Sequence, residues 1–379
     1  FGSNRVKLLN GHIPYYRCAK FLYSFQKKTV ILIVRIFALK MPVKNQKWIY
    51  NSTFSGAPKP SDFKFVEDQL PEVGENEVHF KAVAISVDPY MRVLGSVIPP
   101  GGVMFGAQVA KVVKSRNPKW KVGDAAVGYF GWQTNWVGVP EDIQSPFGGI
   151  EEPYEVPQVV SNVTHALGAA GLTGNSAYFG MMELCCPKPG ETVVVSGAAG
   201  AVGSLAGQIA KIQGARVIGF AGSDAKVDWL VSECGFDKAF NYKKISVVEA
   251  LKTAAPKGVD CYFDNVGGQM TADVISCMNS YGRVAVCGSI ANYNADRSKP
   301  VLVPDYHLNV IIKQIKMEGF LAQRWLGPKW IQGIHQLAEW INQGKIVPRE
   351  TVTNGFLNIP SAFIAMLKGD NIGKAVVTV

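Results

Sequence analysis

Three glycines spaced three apart, in Thr192-Val-Val-Val-Ser-Gly-Ala-Ala-Gly-Ala-Val-Gly203, are the residues whose types and positions point most directly to chemistry. The valines ahead of them read as a buried strand. Behind them Val202, Leu205, Ala206, Ile209 and Ala210 recur at helical spacing. Gly197, Gly200 and Gly203 would let the backbone turn tightly and approach a pyrophosphate, whose charge the free N–H groups of the helix start would meet. The spacing is GxxGxxG rather than the commoner GxGxxG, so the strand before and the helix after carry the assignment to a dinucleotide.

The end of the next strand selects among dinucleotides. An NAD site would carry Asp or Glu there to hold the ribose 2′-OH. In Val217-Ile-Gly-Phe-Ala-Gly-Ser-Asp-Ala-Lys226 the strand ends in small neutral residues, with Ser223 and Lys226 beyond. A hydroxyl and an ammonium suit a 2′-phosphate, which predicts NADPH/NADP+. Asp224 runs against this unless it serves the start of the following helix. The alternative for Lys226 is an ordinary solvated helix lysine.

A zinc site needs three or four converging Cys, His or acidic ligands. Between Met41 and Leu167 there is no cysteine, and the histidines are His79 and His165 alone. Cys185-Cys186 reads as a pair of small buried residues. No metal is expected, and a conjugated enone suits such a site. Hydride adds to its β-carbon, and one hydrogen-bond donor can stabilise the enolate oxygen.

The elements that must position these groups fall into three stretches. From Trp48 to about Leu167 the chain is β-rich, with strands expected at Val78–Val87, Gln108–Val113 and Val122–Gly131, the last with a Gly123-Asp124 turn. After Gly168, strands at Glu191–Ser196, Arg216–Phe220, Val259–Phe263 and Arg283–Cys287 alternate with helices, including Lys226–Ser232 and Gln269–Met278. That order predicts an α/β, doubly wound parallel sheet. Ile331, Ile334, Ala338 and Ile341 mark an amphipathic helix ending near Gly344. From about residue 350 the chain is expected to return to short strands, ending in Ala375–Val379. The domain reading is an N-terminal extension over 1–40, a β-rich domain over 41–168, a Rossmann domain over 169–349 and a return segment over 350–379.

At 379 residues two domains are the natural division. The formal net charge of +10 is misleading about partners. Eight of the 39 basic side chains lie in residues 1–40, where no acid stands, and the remaining 31 against 29 acids are nearly balanced. Capture of nucleic acid is disfavoured. Residues 1–40 read either as a targeting presequence, mitochondrial in type, or as an extension ahead of a start at Met41. The apolar run Thr29–Val34 is far too short to span a bilayer. Seven scattered cysteines without a CxxC pair fit a reducing compartment, the cytoplasm.

Six motifs, in this order, closely resemble the prostaglandin reductase and alkenal reductase group of zinc-free medium-chain dehydrogenases/reductases. They are Val87-Asp-Pro-Tyr-Met-Arg92, Ala198–Gly203, Asn241-Tyr-Lys243, Asp260-Cys-Tyr-Phe-Asp-Asn-Val-Gly-Gly268, Cys287-Gly-Ser-Ile-Ala-Asn-Tyr293 and Leu367-Lys-Gly-Asp-Asn-Ile-Gly-Lys374. The resemblance runs from Trp48 to the C-terminus. It implies a GroES-like catalytic domain beside the Rossmann domain, and a homodimer. It implies a pyrophosphate held by Gly200, Ala201, Val202 and Gly203, with Lys226 and Tyr242 at the 2′-phosphate. Asn265, the loop of Cys287, Gly288, Ser289, Ile290, Ala291, Asn292 and Tyr293, the segment Phe320, Leu321 and Ala322, and Asn371 would line the rest. Leu172 and Ser176 fall near the nicotinamide. For Asn265 a turn-forming role is the alternative.

Two positions depart from the group. Ile312 stands where a tyrosine is usual, and Asn175 where an apolar residue is usual. Oxyanion or proton duty then passes to Tyr90, Tyr293, Tyr306 or the cofactor ribose, with Tyr90 the first choice and Tyr293 beside it. The implied activity is NADPH-dependent reduction of α,β-unsaturated ketones and aldehydes, such as 15-oxo-prostaglandins and lipid alkenals, with NADP-linked oxidation of hydroxy-eicosanoids such as leukotriene B4 in addition. The alternatives are a quinone reductase and a non-catalytic NADPH-binding protein.

Overall fold

The computed structural model describes residues 43–379 except Val97, Arg297 and Pro300. The expectation for residues 1–40 lies outside these described residues.

A six-stranded, wholly parallel sheet forms the cofactor half. Its spatial order is Lys238–Asn241, Arg216–Ala221, Thr192–Val195, Val259–Asp264, Met278–Val286 and Lys316–Gly319. In chain order that is 3-2-1-4-5-6, the doubly wound arrangement in which ligands bind beyond the carboxyl ends of the central strands. The side-chain period of two explains why these strands read as unbroken apolar runs. Val193 and Val195 pack with helices Ala201–Ile212, Asp224–Ser232 and Pro328–Asn342. Val194, between them, packs on the opposite face with Val247–Ala254 and Gly268–Ser276. Cys261 and Phe263 divide from Tyr262 in the same way.

The β-rich half is a seven-stranded sheet. Its path runs Glu350–Asn354, Lys374–Thr378, Val78–Ser86, Gln108–Ser115, Ala125–Gly128 and Tyr154–Glu155, with Asn135–Gly138 also paired to Val78–Ser86. The last strand enters antiparallel to Val78–Ser86, Val376 opposite Ser86 and Thr378 opposite Ala84. The return segment thereby completes a sheet begun some 290 residues earlier, which explains the unusual order of the halves.

Two expectations need correction, and one helix was not read from the sequence. The segment after 350 is not all strand, because helix Ile359–Lys368 connects its two parallel strands and buries Ile359 and Phe363. Pro360 at the first turn of that helix fits a helix start, where no N–H is needed. Helix Val247–Ala254 was not expected, although its start is marked in sequence: Ser246 Oγ accepts from the Glu249 N–H at 3.2 Å and donates to the Glu249 carboxylate at 3.0 Å. Cys185 is buried as expected, but Cys186 is exposed, with φ +43° where the π-helical turn Gly180–Cys185 ends.

Candidate active site

The glycine turn lies at the carboxyl end of the central strand. Gly197 has φ +57°, a conformation costly for residues with a Cβ. Gly203 is the close-packing position: a Cβ there would lie 2.9 Å from Ala198 Cα and closer still to the Gly197 carbonyl oxygen. Helix Ala201–Ile212 follows with no side chain capping it, so its first N–H groups, Ala201 and Val202 among them, are left to a ligand. The Gly373 N–H donates to Ala199 O at 2.8 Å, and Asn371 Nδ2 donates to Gly373 O at 2.7 Å. Asn371 is thus brought to the turn by the same segment that carries the last strand.

Lys226 and Tyr242 follow the ends of two neighbouring strands, Arg216–Ala221 and Lys238–Asn241. Lys226 Nζ donates to Gly369 O at 2.7 Å, and burial pulls its pKa down. Tyr242 is exposed, and its hydroxyl lies beside Gly222. Asp224 does not confront a phosphate here. Its carboxylate accepts from Asn241 Nδ2 at 2.9 Å and pairs with Lys244, and these partners hold its pKa down. The helix-start role allowed for Asp224 therefore takes the form of its first residue, after Ser223.

The opposite wall is organised by Asp264, which is 1% exposed. Oδ1 accepts from Tyr262 OH (2.8 Å), Val266 N (2.9 Å), Gly267 N (3.0 Å) and Ser196 Oγ (3.2 Å), and Oδ2 accepts from Thr271 Oγ1. Its carbonyl accepts from the N–H groups of Cys287 and Gly288. The carboxylate thus ties the loop after Val259–Asp264 to Ser196 beyond the central strand, and the Asp264 backbone carbonyl ties it to the loop after Met278–Val286. Asn265 Nδ2 is engaged by Ser196 O at 2.7 Å, so its side chain fixes the turn. Burial pushes the Cys287 thiol up to about 12, leaving it protonated. After Ser289, the 3-10 turn Ile290–Asn292, with Ala291 at its centre, carries Tyr293 back over the loop. The Tyr293 hydroxyl accepts from the Ser289 N–H at 3.2 Å, which leaves its own proton free to be donated.

Phe320 packs edge-on against Phe263 and Trp325, and Ala322 is buried, whereas Leu321 is exposed. Ser176 is buried and donates back to the Leu172 carbonyl at 2.8 Å. Of these four, Leu321 has an exposed side chain, and Ser176 is already engaged within its helix.

Leu172 opens onto a small cleft lined also by Asp88, Tyr129, Glu151, Tyr154, Leu167 and Trp330. Tyr90 starts the short helix Tyr90–Leu94, with its ring 5.0 Å from Phe147. Its hydroxyl is buried beside Tyr129 but meets no group in hydrogen-bonding geometry. Burial pushes the hydroxyls of Tyr90, Tyr129 and Tyr154 up, so each stays protonated at neutral pH. Arg92 Nε reaches Asn294 Oδ1 at 3.1 Å and thus ties the Tyr90 helix to the segment after Tyr293.

Behind the wall, Lys374 Nζ pairs with Asp88 at 3.1 Å, both side chains nearly fully buried. Asp88 and Lys374 each sit in a motif singled out above, yet sequence reasoning missed their contact. It also missed Tyr129, Tyr154 and Glu151, which no local signal marks.

The two departures resolve differently. Ile312 is 66% exposed on helix His307–Ile312 and is not among the residues lining the cleft. Asn175 is fully buried and donates to Trp330 O at 3.1 Å, joining helix Leu172–Phe179 to Pro328–Asn342. Tyr306 stacks on His307 and packs under the cofactor sheet.

Two family models match, one described as the N-terminal domain of oxidoreductase over residues 46–145 and one as zinc-binding dehydrogenase over 201–340. Prostaglandin reductase 1 of Oryctolagus cuniculus is 44% identical over 335 residues, 88% of this chain and 93% of that protein. The NADP(+)-dependent 2-alkenal reductase of Nicotiana tabacum is 39% identical, over 89% of this chain and 98% of its own. The crystal structure of CurA from Vibrio vulnificus in complex with NADPH superposes with a TM-score of 0.80 at 34% identity, covering 88% and 99% of the two chains. The chain belongs to the medium-chain dehydrogenase/reductase family, together with the prostaglandin reductases.

Proposed function

We propose that this chain uses NADPH to reduce the carbon–carbon double bond of α,β-unsaturated ketones and aldehydes. The observation that carries the reading is the cleft beside Leu172, lined by Tyr129 and Tyr154, with the buried hydroxyl of Tyr90 next to Tyr129. NADPH, when bound, supplies the hydride that adds to the substrate β-carbon. The glycine turn, the uncapped helix start and Lys226 fit its phosphates. Tyr90 and Tyr293 are neutral donors for the carbonyl oxygen as it takes on enolate charge. Apolar walls from Leu167, Leu172 and Trp330 exclude water and hold the alkene chain. Protonation of the α-carbon completes the reduction.

Zinc has no part in this reading. His79 is committed to Asn135 at 2.9 Å, and among the described residues no three Cys, His, Asp or Glu side chains are placed to hold a metal ion. Residues 169–349 serve as the cofactor domain, and 41–168 with 350–379 as the catalytic domain. The working unit is a homodimer. Strand Lys316–Gly319 ends the cofactor sheet, and Leu302, Leu308, Ile311 and Ile312 stand exposed near it in sequence. Light scattering tests this, and a monomer at micromolar concentration overturns it. Among the described residues six thiols are free, Cys185 and Cys261 included, in accord with the cytoplasm.

The test of the activity is loss of NADPH absorbance with an alkenal, a 15-oxo-prostaglandin and a simple quinone in parallel, NADH being the control cofactor. Enal or enone turnover with NADPH is the expected result. Quinone turnover alone, or tight NADPH binding without oxidation, overturns it.

A further inference from the structure

Helix Ile359–Lys368, which packs in the β-rich half, ends in a turn built around a left-handed glycine. The Gly369 N–H donates to Met366 O at 3.0 Å, the Asp370 N–H reaches back to Ala365 O at 3.1 Å, and Gly369 has φ +82°. That pair of bonds closes a helix when the residue after it can turn left-handed, and it fixes the direction of the backbone that follows. The chain then runs along the cofactor half. Gly373 bridges to Gly200 and donates to Ala199 O at 2.8 Å, and Lys374 enters its buried pair with Asp88. Residues 369–374 are therefore held at both ends by the protein's own contacts. Lys226 comes to this segment from the cofactor half, 143 positions away in sequence, and donates to Gly369 O at 2.7 Å. Burial pulls the pKa of its ammonium down, Asp370 opposes that shift and Lys243 adds to it. Asp224, the other acid nearby, is already paired with Lys244.

We infer that Gly369 is a positioning residue of the 2′-phosphate site: its carbonyl holds the Lys226 ammonium in place, so the β-rich half helps the cofactor half to grip NADPH. This rests on Lys226 meeting the 2′-phosphate, as proposed above, and not on which enone is reduced. A lysine stem is flexible, and a phosphate that has to immobilise it loses affinity to the lost rotamer freedom. Here the stem is immobilised beforehand by a carbonyl that the helix-ending turn and the Gly373 bridge hold still. An ammonium has three N–H groups, and the bond to Gly369 leaves two for phosphate oxygens. Lys226 supplies the charge, and Gly369 supplies its position.

The test is calorimetric binding of NADP+ and of NAD+ to the full chain. A Cβ on Gly369 would meet nothing closer than Lys226 Nζ at 3.9 Å, so a substitution there acts through the backbone angle rather than through a clash. Gly369→Val puts a β-branched residue at φ +82° and is expected to weaken NADP+ by about three- to tenfold, with NAD+ held within about twofold. In a Lys226→Ala background the same change should alter NADP+ affinity by less than about twofold, because no ammonium is left to misplace. Gly369→Ala strains the same angle more mildly and carries the test where valine unfolds the chain. Equal weakening of NADP+ and NAD+, or an NADP+ affinity that the Gly369 variants leave unchanged, overturns the inference. A loss that persists undiminished in the Lys226→Ala background overturns the route through Lys226. Binding of NADP+ by Lys226→Ala as tight as by the unaltered chain overturns instead the placement of the 2′-phosphate.

Discussion

Lys374→Met should cost this protein far more stability than its single lost charge suggests. The ammonium lies 3.1 Å from Asp88 Oδ1 and donates to Val87 O at 3.1 Å and Ala375 O at 2.7 Å, so its three N–H groups are all used. The two side chains are 4% and 6% exposed. Methionine fills much of the same volume against Gly168, where the lysine stem packs, but it leaves Asp88 buried with Ser86 as its remaining side-chain partner. Breaking a buried pair from one side costs about 3–5 kcal/mol, because the surviving charge is uncompensated. The control is Lys244→Met, which breaks the pair with Asp224, whose side chains are 66% and 58% exposed, and an exposed pair is worth about 0–1 kcal/mol. In urea, with a slope of about 3 kcal/mol/M, Lys374→Met should lower the unfolding midpoint by more than about 1 M, and Lys244→Met by less than about 0.3 M. Adding Asp88→Asn to Lys374→Met should return part of the loss, about 0.5–3 kcal/mol. Equal midpoint shifts for Lys374→Met and Lys244→Met would refute the buried-pair reasoning.

Gly203→Ala forces a Cβ to within 2.9 Å of Ala198 Cα, backbone that cannot swing aside, and should weaken NADPH binding at least about tenfold in a fluorescence titration; an unchanged Kd would count against the turn as the pyrophosphate site. Lys226→Ala removes a charged donor worth about 1.5–3 kcal/mol, so NADPH should lose about tenfold to a hundredfold in kcat/KM while NADH is unaffected. Tyr293→Phe should lower kcat by about a hundredfold with little change in NADPH affinity, and a KM effect alone would reduce Tyr293 to a packing role. Burial lowers the pKa of His79, so the fold prefers its neutral form. The stability this contributes is present above the unfolded-state value of about 6.5 and is lost as pH falls through that value towards the lower folded one. Denaturant midpoints measured from about pH 7.5 to about 5 should therefore fall, and His79→Gln should flatten the decline.

The parts of the site that sequence reveals are those whose partners lie within one strand–turn–helix unit. Thr192–Val195 is legible because both its faces are buried, and Gly197 to Gly203 because the turn, the close packing and the helix start are all local. Lys226 is legible from its place after a strand that ends without a carboxylate, although the carbonyl it donates to, Gly369 O, comes from the far end of the chain. The Ser246–Glu249 cap was equally local, and helix Val247–Ala254 could have been read from it. Helix Ile359–Lys368 escaped for a different reason. It is a crossover between two parallel strands and packs inside the β-rich half, so the stretch around it carries strand and helix signals together.

The cleft beside Leu172 has no such locality. Lys374 meets the Val87 carbonyl across 287 positions, and what joins them is the antiparallel register of Val376 on Ser86, a property of the assembled sheet rather than of either segment. Two motifs that look independent in sequence, the one around Asp88 and the one ending at Lys374, are therefore a single buried unit behind the cleft. The same holds for Glu151, whose neighbours Tyr129, Tyr154 and Leu172 reach it from a strand end, a short edge strand and a helix start. Cofactor choice is written in contiguous residues because a dinucleotide contacts the ends of successive strands. The cleft is lined jointly by the β-rich sheet, the 144–152 hairpin and the cofactor half, so no single stretch of sequence spells out what it holds.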